Sequence, residues 1–359
     1  MMRHIAVSGW LLGPPSGANR RLLCLLRELG PRLRADERIT VLHGRDFAPP
    51  TLPGIRWHAV PIASGPTWRR AFAERRVLPT VLRELGATLL DHGFLPLPRV
   101  PVPVCLLVHD LRAIDGLTRW PRWLATRALR SACERAAAVV APSSWTATRL
   151  RALGKHVRAV DVVPNGVDLP PLPPPVAPAT TTPAAATYVL HVGHVEPRKN
   201  LTVVVDALAL LPAAARPQLW LAGHDAGALP SLRRRAAAKA VTLRTLGRVD
   251  EPTLATLYRE ARAVVLPSRH EGFGLPALEA LAHGTPLLSS DAAALPEVVG
   301  AAAPLLSPED PDAWAEAIVA AAAPAARAEG AVQRRRDHAA NLGWSSPAER
   351  LLAVWRRLL

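Results

Sequence analysis

Cysteine, lysine, phenylalanine and tyrosine are all scarce in this chain of 359 residues. The three cysteines (Cys24, Cys105 and Cys133) lie far apart, without a C-x-x-C pair or a histidine at metal-ligand spacing, so we expect neither a disulfide framework nor a zinc site. No run approaches the roughly 18 consecutive apolar residues that a membrane-spanning helix requires. The first residues lack the small-residue cleavage site of a signal peptide and are typical of a buried strand. These absences predict a cytoplasmic protein, whose contact with a membrane would be peripheral and at the inner face of the cytoplasmic membrane.

Positive charge is concentrated in the first half of the sequence. Arginine and lysine outnumber aspartate and glutamate by 25 to 12 over residues 1–168 but only by 19 to 17 over residues 169–359, so the first half supplies +13 of the net +15. A basic half is typical of proteins that bind nucleic acid, anionic lipid or a phosphorylated substrate, and it also fits a compositional preference for arginine over lysine. Four phenylalanines, two tyrosines and no nucleic-acid motif offer little for base stacking, so we expect no nucleic-acid partner.

Short apolar runs alternate with amphipathic stretches on both sides of a proline- and alanine-rich segment, Leu169–Ala186. Its composition favours an extended linker, with an SH3-type ligand as the alternative. The predicted strands are Ile5–Ser8, Ile39–Leu42, Ile55–Val60, Thr88–Leu90, Val104–His109, Ala138–Ala141, Val160–Val163, Tyr188–Val192, Gln218–Ala222, Val241–Thr245, Ala263–Leu266 and Pro286–Ser289. The predicted helices are Ala18–Leu29, Thr67–Leu85, Pro121–Ala136, Ser144–Leu153, Asn200–Leu211, Leu229–Lys239, Glu251–Ala261, Pro276–Ala282 and Pro311–Ala322. This alternation, twice over, predicts an α/β protein with two doubly wound, Rossmann-like parallel sheets and ligands at the carboxyl ends of the strands, in a cleft between the domains.

The linker sets the expected domain boundaries. They are an N-terminal Rossmann-like domain (1–168), the linker (169–186), a C-terminal Rossmann-like domain (187–344) and a last helix (345–359). That helix contains PAERLLAVWRRLL, with apolar residues at helical spacing. It either docks on the domain before it or returns to the first domain, and the sequence does not separate these alternatives.

The segment 263–284, AVVLPSRHEGFGLPALEALAHG, combines features of an anion-binding turn. A buried strand ends, a loop with Gly272 and Gly274 follows, and a proline opens the next helix. The glycines let backbone N–H groups approach a ligand, and the helix turns its positive end toward the same place, which suits a diphosphate held without a metal. Glu271 lies in the loop and Glu279 lies one turn into the helix. We therefore expect the two carboxylates to contact separate parts of one ligand. Taken alone, the loop is equally well explained as an ordinary turn.

The stretch His270–Glu279 resembles the Glu-x7-Glu motif of the retaining glycosyltransferases of family 4, a group with the GT-B fold. Other landmarks of that family agree in order and spacing over most of 104–312. They are the His109–Asp110 pair, PSSW at 142–145, PNGVD at 164–168, LHVGHVEPRKNL at 190–201 and LGRVD at 246–250. The Glu-Pro-Arg-Lys-Asn form is commonest among mannosyl- and rhamnosyl-type enzymes, so the chain is similar to the bacterial mannosyltransferase-like group 1 glycosyltransferases. The resemblance implies a GT-B architecture of two Rossmann-like domains facing an interdomain cleft, with the acceptor bound by the N-terminal domain and the nucleotide sugar by the C-terminal domain.

The resemblance implies a role for each matching residue. His109 and Glu271 would be catalytic and contact the donor sugar, while Glu279 would accept from the ribose hydroxyls and Val249 would touch the base. The donor diphosphate would be bound by residues of three turns, namely Gly17, Arg198, Lys199, Gly272, Phe273, Gly274 and Leu275. Without the resemblance, a lysine that starts a helix, a carboxylate on a helix and a lone histidine at a strand end each have a structural explanation.

Two segments of the chain depart from the family pattern. His194 stands where many relatives carry an arginine, so it would contact phosphate or sugar, as Asp110 would, but would add charge only when protonated. In the first domain, GPPSGANRR at 13–21 fits the family's glycine-rich turn at Gly17 and Arg20 but has Ser16 and Asn19 in place of glycines.

The chemistry that the resemblance implies is front-face displacement, in which the leaving diphosphate takes the acceptor's proton. It requires no protein nucleophile and no metal, and Asp310–Asp312 is typical of a helix N-cap instead of a metal-binding Asp-x-Asp. We therefore expect a retaining hexosyltransferase with no cofactor. Its substrates would be a nucleotide-sugar donor, with GDP-mannose favoured, and a glycan, lipid-linked or small-molecule acceptor. The alternatives are a GT-B-like sugar-nucleotide epimerase or phosphorylase and, more remotely, a basic nucleic-acid-binding protein.

Aromatic residues lie among arginines in two stretches of the basic half, 66–85 and 119–135. The residues concerned are Trp68, Arg69, Arg70, Phe72, Arg75 and Arg76 in the first stretch, and Trp120 and Trp123 in the second. Tryptophan with arginine suits a lipid headgroup interface, so we expect an anionic membrane surface as a partner and a polyprenyl-diphosphate or other lipid acceptor. The alternative is a solvated, arginine-rich helix face, because Pro79 interrupts the first stretch.

Overall fold

The computed structural model describes residues 2–10, 12–13, 17–63, 67–112, 114–115, 121–154, 157, 159–171 and 188–359. The chain forms two compact units. One comprises Met1–Gly166 together with Trp344–Leu359, and the other comprises Val167–Gly343. Residues 172–186 of the expected linker lie outside the described residues.

The first unit is built on a parallel sheet of seven strands in the order β3-β2-β1-β4-β5-β6-β7. The strands are β1 (Arg3–Gly9), β2 (Glu37–Gly44), β3 (Ile55–Val60), β4 (Leu89–His92), β5 (Val104–Leu107), β6 (Ala138–Ala141) and β7 (Val160–Val162). The helices before the unit boundary are α1 (Gly17–Leu29), α2 (Thr67–Glu84), α3 (Arg122–Arg135) and α4 (Ser144–Arg151). Central strands such as β6 are buried along their whole length because helices cover both faces of the sheet. From β1 the chain first adds strands on one side, β2 and β3, and then adds β4 to β7 on the other side. Open α/β sheets bind ligands at such a switch point, outside the carboxyl ends of the strands.

The second unit repeats the plan with six parallel strands in the order β10-β9-β8-β11-β12-β13. The strands are β8 (Tyr188–Val192), β9 (Gln218–Ala222), β10 (Leu243–Gly247), β11 (Ala263–Leu266), β12 (Leu287–Ser290) and β13 (Leu305–Leu306). The helices are α5 (Leu201–Leu210), α6 (Leu229–Ala238), α7 (Glu251–Glu260), α8 (Leu275–Ala282), α9 (Leu295–Val299), α10 (Pro311–Ala320) and α11 (Glu329–Ala340). The two doubly wound sheets confirm the predicted fold class.

The sequence did not predict β13, α9 or α11. The strand has only two residues, and α9 has only five, too few for a period to be read. The third, EGAVQRRRDHAA, is polar along most of its length and buries only Ala331, Arg335 and Ala339. These elements are stabilised by packing against the rest of the unit, and their own sequence patterns are too weak to predict them.

The final helix, α12 (Ser345–Leu358), packs in the first unit, against α1. The Trp355 indole N–H donates to Asp91 Oδ2 at 2.8 Å, and the Arg356 guanidinium donates to both carboxylate oxygens of Glu37 at 2.7 and 2.8 Å. Trp355 is 1% exposed. Of the two placements that the sequence left open, the structure has the return to the first unit.

Among the described residues, no helix combines the length and the apolar character needed to cross a bilayer.

Candidate functional site

The turn between β11 and α8 is held in one backbone conformation by Gly274. This residue has φ 102°, and a Cβ built on it would lie 2.6 Å from Cδ2 of Leu295, so a larger residue would be both strained and crowded. Gly272 and Phe273 are buried in the loop, and Leu275 is the first residue of the helix. The helix begins on Gly274 without a side-chain cap, which leaves its positive end directed at the loop.

Glu271 is the centre of a buried ionic cluster in this loop. It is 8% exposed, and it accepts from Lys199 and from Ser268 at 2.9 Å on one oxygen and from Arg198 at 3.1 Å on the other. Burial by itself raises the pKa of the Glu271 carboxyl, but the charges of Lys199 and Arg198 outweigh it and hold that pKa at about 2. Glu271 is therefore a carboxylate throughout the physiological pH range, a weak base with both oxygens engaged.

Lys199 and Arg198 come from the short 3-10 turn Pro197–Lys199 that follows β8. Arg198 also forms an ion pair with Glu196 at 2.5 Å and donates to the His270 carbonyl at 2.7 Å, and its own carbonyl accepts from the Arg269 amide at 2.9 Å. Because β8 and β11 are neighbours in the sheet, the turns that follow them meet at the same edge. Arg198 thus joins the two turns, while the ammonium group of Lys199, 5% exposed, contacts Glu271 itself.

The turns after β8 and β9 also approach each other closely. A Cβ on Gly223 would lie 2.0 Å from the carbonyl oxygen of Gly193, so this approach requires a residue without a side chain. Just beyond these glycines, His194 and His224 are exposed, with ring centroids 6.4 Å apart. Sequence reasoning missed His224, although the repeat of Gly-His at the ends of two strands could have indicated it.

His191, on β8, is a second histidine that sequence reasoning missed. It is completely buried, its Nδ1 lies 3.3 Å from the Val265 carbonyl oxygen, and its Nε2 is buried without a hydrogen-bond partner among the described residues. Burial, and then the Lys199 charge, lower the pKa of His191 to about 4. A single histidine within an apolar strand gives no sequence signal that it would lie beside a lysine of the next turn.

Glu279 lies apart from the Glu271 cluster, one turn into α8. The Tyr258 hydroxyl, from α7, donates to Glu279 Oε2 at 2.7 Å. Val249 lies in the loop between β10 and α7 and packs against the apolar cluster that also contains Tyr258. Lys199, Glu271, Glu279 and Val249 therefore all lie in the second unit, in or just after segments that follow its strands.

The remaining predicted residues lie in the first unit. His109 and Asp110 follow β5, and a Cβ on Gly93 would lie 3.4 Å from His109 Nε2. Burial, and then the Arg21 guanidinium, lower the pKa of His109 to about 4, so its imidazole is neutral near pH 7. Asp110 pairs with Arg112 at 2.8 Å.

Gly17 is the first residue of α1, and 14–16, which include Ser16, lie outside the described residues. Arg20 matches the family pattern in this turn, whereas Arg21 is the buried arginine, at 2% exposure. Arg21 donates to the carbonyl oxygens of Val163 at 3.0 Å and Pro164 at 3.1 Å, and to Asn165. It thereby ties the start of α1 to the PNGVD segment, a contact across more than a hundred residues that no local pattern indicates.

Two family models match this chain. The model described as "Glycosyltransferase Family 4" matches residues 15–170, and the one described as "Glycosyl transferases group 1" matches residues 186–323. Together they span both units.

Among curated proteins, the D-inositol 3-phosphate glycosyltransferase of Jonesia denitrificans is 34% identical over 244 residues, covering 62% of this chain and 58% of that protein. The O-antigen chain mannosyltransferase B of Escherichia coli is 41% identical over 131 residues, covering 35% of this chain and 34% of that protein. The matches thus cover less than two thirds of either relative's own length.

Among solved structures, sucrose-phosphate synthase from Thermosynechococcus elongatus superposes with a TM-score of 0.80 at 22% identity, covering 99% of both chains. Anabaena HepE in complex with UDP-glucose superposes with a TM-score of 0.71 at 18% identity, again over 99% of both chains. At these identities the likeness shows the fold. The two family models place this chain among the group 1, family 4 glycosyltransferases, and the likeness to the solved structures shows the GT-B fold.

Proposed function

We propose that this glycosyltransferase moves a hexose, with mannose favoured, from a nucleoside diphosphate sugar to a glycan, lipid-linked or small-molecule acceptor with retention of configuration. The observation that carries the proposal is Glu271, a buried carboxylate kept ionised by Lys199 beside the start of a helix. Such a carboxylate accepts hydrogen bonds from sugar hydroxyls, and the helix end and the lysine suit a diphosphate. The similarity to a mannosyltransferase over 131 residues favours mannose.

In the proposed reaction, the bond between the anomeric carbon and the diphosphate oxygen breaks as the acceptor oxygen bonds to the same face of that carbon. The acceptor's proton passes to the departing diphosphate oxygen. Lys199 and the first amides of α8 stabilise the charge that develops on the diphosphate. Glu271, whose pKa is about 2 and whose oxygens are engaged, positions the sugar and does not act as base or nucleophile.

We propose different contributions from Arg198 and Lys199, although the family resemblance assigns both residues to the donor diphosphate. The guanidinium of Arg198 pairs with Glu196 and donates to Glu271 and to the His270 carbonyl, so it holds the loop in place. Lys199 has a compact, mobile charge that can exchange Glu271 for a phosphate oxygen. His194 is exposed in the turn after β8, where it would contact a phosphate or the sugar of the donor. No metal takes part in the proposed step, and Asp310 caps α10 by accepting from the amides of Asp312 and Ala313 at 3.1 Å.

The donor proposal is tested by a thermal-shift screen of GDP-, UDP-, dTDP- and ADP-sugars. We expect one of these donors to raise the melting temperature and Glu279→Ala to abolish that rise, because Glu279 would bind the ribose. The matched control is Glu309→Ala, which removes a carboxylate that is 65% exposed in a surface pair with Arg269. A full shift in Glu279→Ala would overturn the ribose assignment, and no shift with any donor would overturn the donor class.

Retention and reaction type are tested by proton NMR of the reaction mixture. The product should carry the same anomeric configuration as the donor, and an inverted product would refute retention. The donor incubated without acceptor distinguishes the alternative reactions, because an epimerase would convert it and a transferase would leave the sugar's stereochemistry unchanged.

We further propose that the acceptor is presented at an anionic membrane surface, through an aromatic and basic patch of the first unit. Among the described residues, the exposed tryptophan and phenylalanine side chains are Trp68, Phe72 and Trp123, at 68, 59 and 70% exposure. The Arg69 and Arg76 guanidinium groups lie over the rings of Trp68 and Phe72, 5.1 and 5.2 Å from their centroids. Aromatic rings with arginines suit the headgroup region of a bilayer.

The geometry of α2 and α3 supports this patch. In a doubly wound sheet, each helix begins at the carboxyl edge of the strand before it, so the first turns of α2 and α3, which carry Trp68 and Trp123, lie at the same edge. The helix α2 runs through Pro79 without ending. Arg70 is not part of the patch as the sequence suggested, because its side chain is 11% exposed, pairs with Glu74 at 3.1 Å and donates to the Leu95 carbonyl at 2.5 Å. Trp120 lies outside the described residues.

Vesicle sedimentation tests the membrane proposal. The protein should bind vesicles of phosphatidylglycerol at low salt and not vesicles of phosphatidylcholine, and the Trp68→Ser/Phe72→Ser/Trp123→Ser variant should lose that binding. Val319→Ser, at a position 56% exposed in the other unit, is the control and should bind as the wild type does. If the wild-type protein ignores anionic vesicles at low salt, the membrane proposal is refuted.

A further inference from the structure

Tyr258 has a hydrogen bond that the family motif does not account for. Its ring is 1% exposed, and its hydroxyl donates to Oε2 of Glu279 at 2.7 Å across 21 residues of sequence. We infer that Tyr258 is a positioning residue for the nucleoside part of the donor: by donating to Oε2, it holds the Glu279 carboxylate in one orientation toward the ribose hydroxyls. The inference rests on the proposed ribose contact of Glu279.

The chain holds the Tyr258 ring in place from two directions. The His283 ring stacks on it with centroids 5.1 Å apart and planes 14° from parallel, and the Thr285 hydroxyl donates to the Tyr258 carbonyl at 2.7 Å. Both residues belong to the turn at the end of α8, the helix that carries Glu279. The donor of the hydrogen bond and its acceptor are thus fixed to one another by the same turn.

This arrangement restricts the Glu279 side chain, which would otherwise adopt several rotamers. A glutamate on a helix has three rotatable bonds and loses conformational entropy when it binds a ligand. A buried tyrosine that holds one carboxylate oxygen removes most of that freedom before the ligand arrives, and such preorganisation increases affinity. The carboxylate held in this orientation would accept hydrogen bonds from the two neighbouring hydroxyls of a ribose. A 2′-deoxynucleotide lacks one of those hydroxyls and gains less from the arrangement.

The other tyrosine of the chain provides a matched control. Tyr188 is 4% exposed, and its hydroxyl donates to the Leu257 carbonyl of α7 at 3.1 Å. Tyr188→Phe and Tyr258→Phe therefore each remove one buried hydroxyl that is bonded at or within α7, and both keep the ring. Only the second removes a bond to Glu279.

The test is calorimetric titration of GDP, UDP and their 2′-deoxy counterparts into wild type, Tyr258→Phe, Tyr188→Phe and Glu279→Ala. For the ribonucleotide that binds, we expect Tyr258→Phe to raise Kd about 10-fold, or about 1.4 kcal/mol, and to raise the Kd of the deoxynucleotide much less. Tyr188→Phe should leave both dissociation constants unchanged, even where its melting temperature falls as much.

The outcomes separate the inference from the function on which it rests. If Glu279→Ala weakens the ribonucleotide but Tyr258→Phe does not, the inference is refuted and the ribose contact stands. Equal weakening of ribonucleotide and deoxynucleotide in Tyr258→Phe also refutes it, because the tyrosine would then support the fold alone. If Glu279→Ala changes neither Kd, the ribose contact itself fails and the inference fails with it.

Discussion

The pair formed by Lys199 and Glu271 allows a quantitative test of how this site is held together. Both side chains are buried, at 5% and 8% exposure, and they belong to turns after two neighbouring strands. Lys199→Met removes the charge and keeps most of the side-chain volume, while Glu271→Gln keeps the shape and removes the opposite charge. Either change leaves one buried charge without its main partner. We expect each single variant to unfold more easily by about 3 kcal/mol, the usual cost of breaking a buried pair.

The pKa of Glu271 leads to a similar magnitude for the loss of stability. That pKa falls from 4.5 to about 2 on folding, and a shift of this size corresponds to about 3 kcal/mol of stability at neutral pH. Because the folded-state value is the lower one, the contribution is complete above pH 4.5 and is lost as the pH falls toward 2. Lys199→Met should therefore flatten the dependence of stability on pH in this acid range, although Arg198 and Ser268 still contact the carboxylate.

The assay is a double-mutant cycle measured by urea unfolding at pH 7. The double variant should be less destabilised than the sum of the single variants, with a coupling energy of about 2 kcal/mol or more. The nearby pair of Arg269 and Glu309 is the control, since its contacts of 2.6 and 2.8 Å are as short but its side chains are 43% and 65% exposed. That surface pair should show a coupling below about 1 kcal/mol. Additive losses at Lys199 and Glu271, or equal coupling in the two pairs, would refute the reasoning.

Two further predictions concern residues around this cluster. His191 has a folded-state pKa of about 4, below its ordinary 6.5, so its contribution to stability is present above pH 6.5 and falls as the pH decreases toward 4. The wild type should lose about 2 kcal/mol more than His191→Gln between pH 7 and pH 5 in urea unfolding, and a difference that does not depend on pH would contradict this. Gly274→Ala should destabilise the fold more than Gly227→Ala and should also weaken nucleotide binding, because the two glycines have φ 102° and 101° but only Gly274 would crowd Leu295. Equal melting temperatures for the two variants would show that the contact with Leu295 costs nothing.

The sequence predicted most of this architecture because parallel strands buried on both faces have a distinctive composition. Runs such as AVVA in β6 and AVVL in β11 are apolar without interruption, and amphipathic stretches separate them. The turn before α8 was also predictable, because Glu271 and two glycines stand in it and a proline and Glu279 follow in the first turns of the helix. By contrast, β13 and α9 are too short, and α11 too polar, for a local pattern to indicate them.

The sequence by itself determined which residues are available for the chemistry and which strand each of them follows. The tertiary structure decided their partners, because partners depend on which strands are neighbours in the sheet. Lys199 and Glu271 are 72 residues apart and meet because β8 lies beside β11. Tyr258 meets Glu279 because their helices, α7 and α8, come directly before and after β11 in the chain. The direction of Arg70 into the protein and the return of α12 to the first unit likewise depend on packing against distant elements. Local sequence fixes the chemistry of each side chain, and long-range packing fixes its surroundings and therefore its pKa, its orientation and its role.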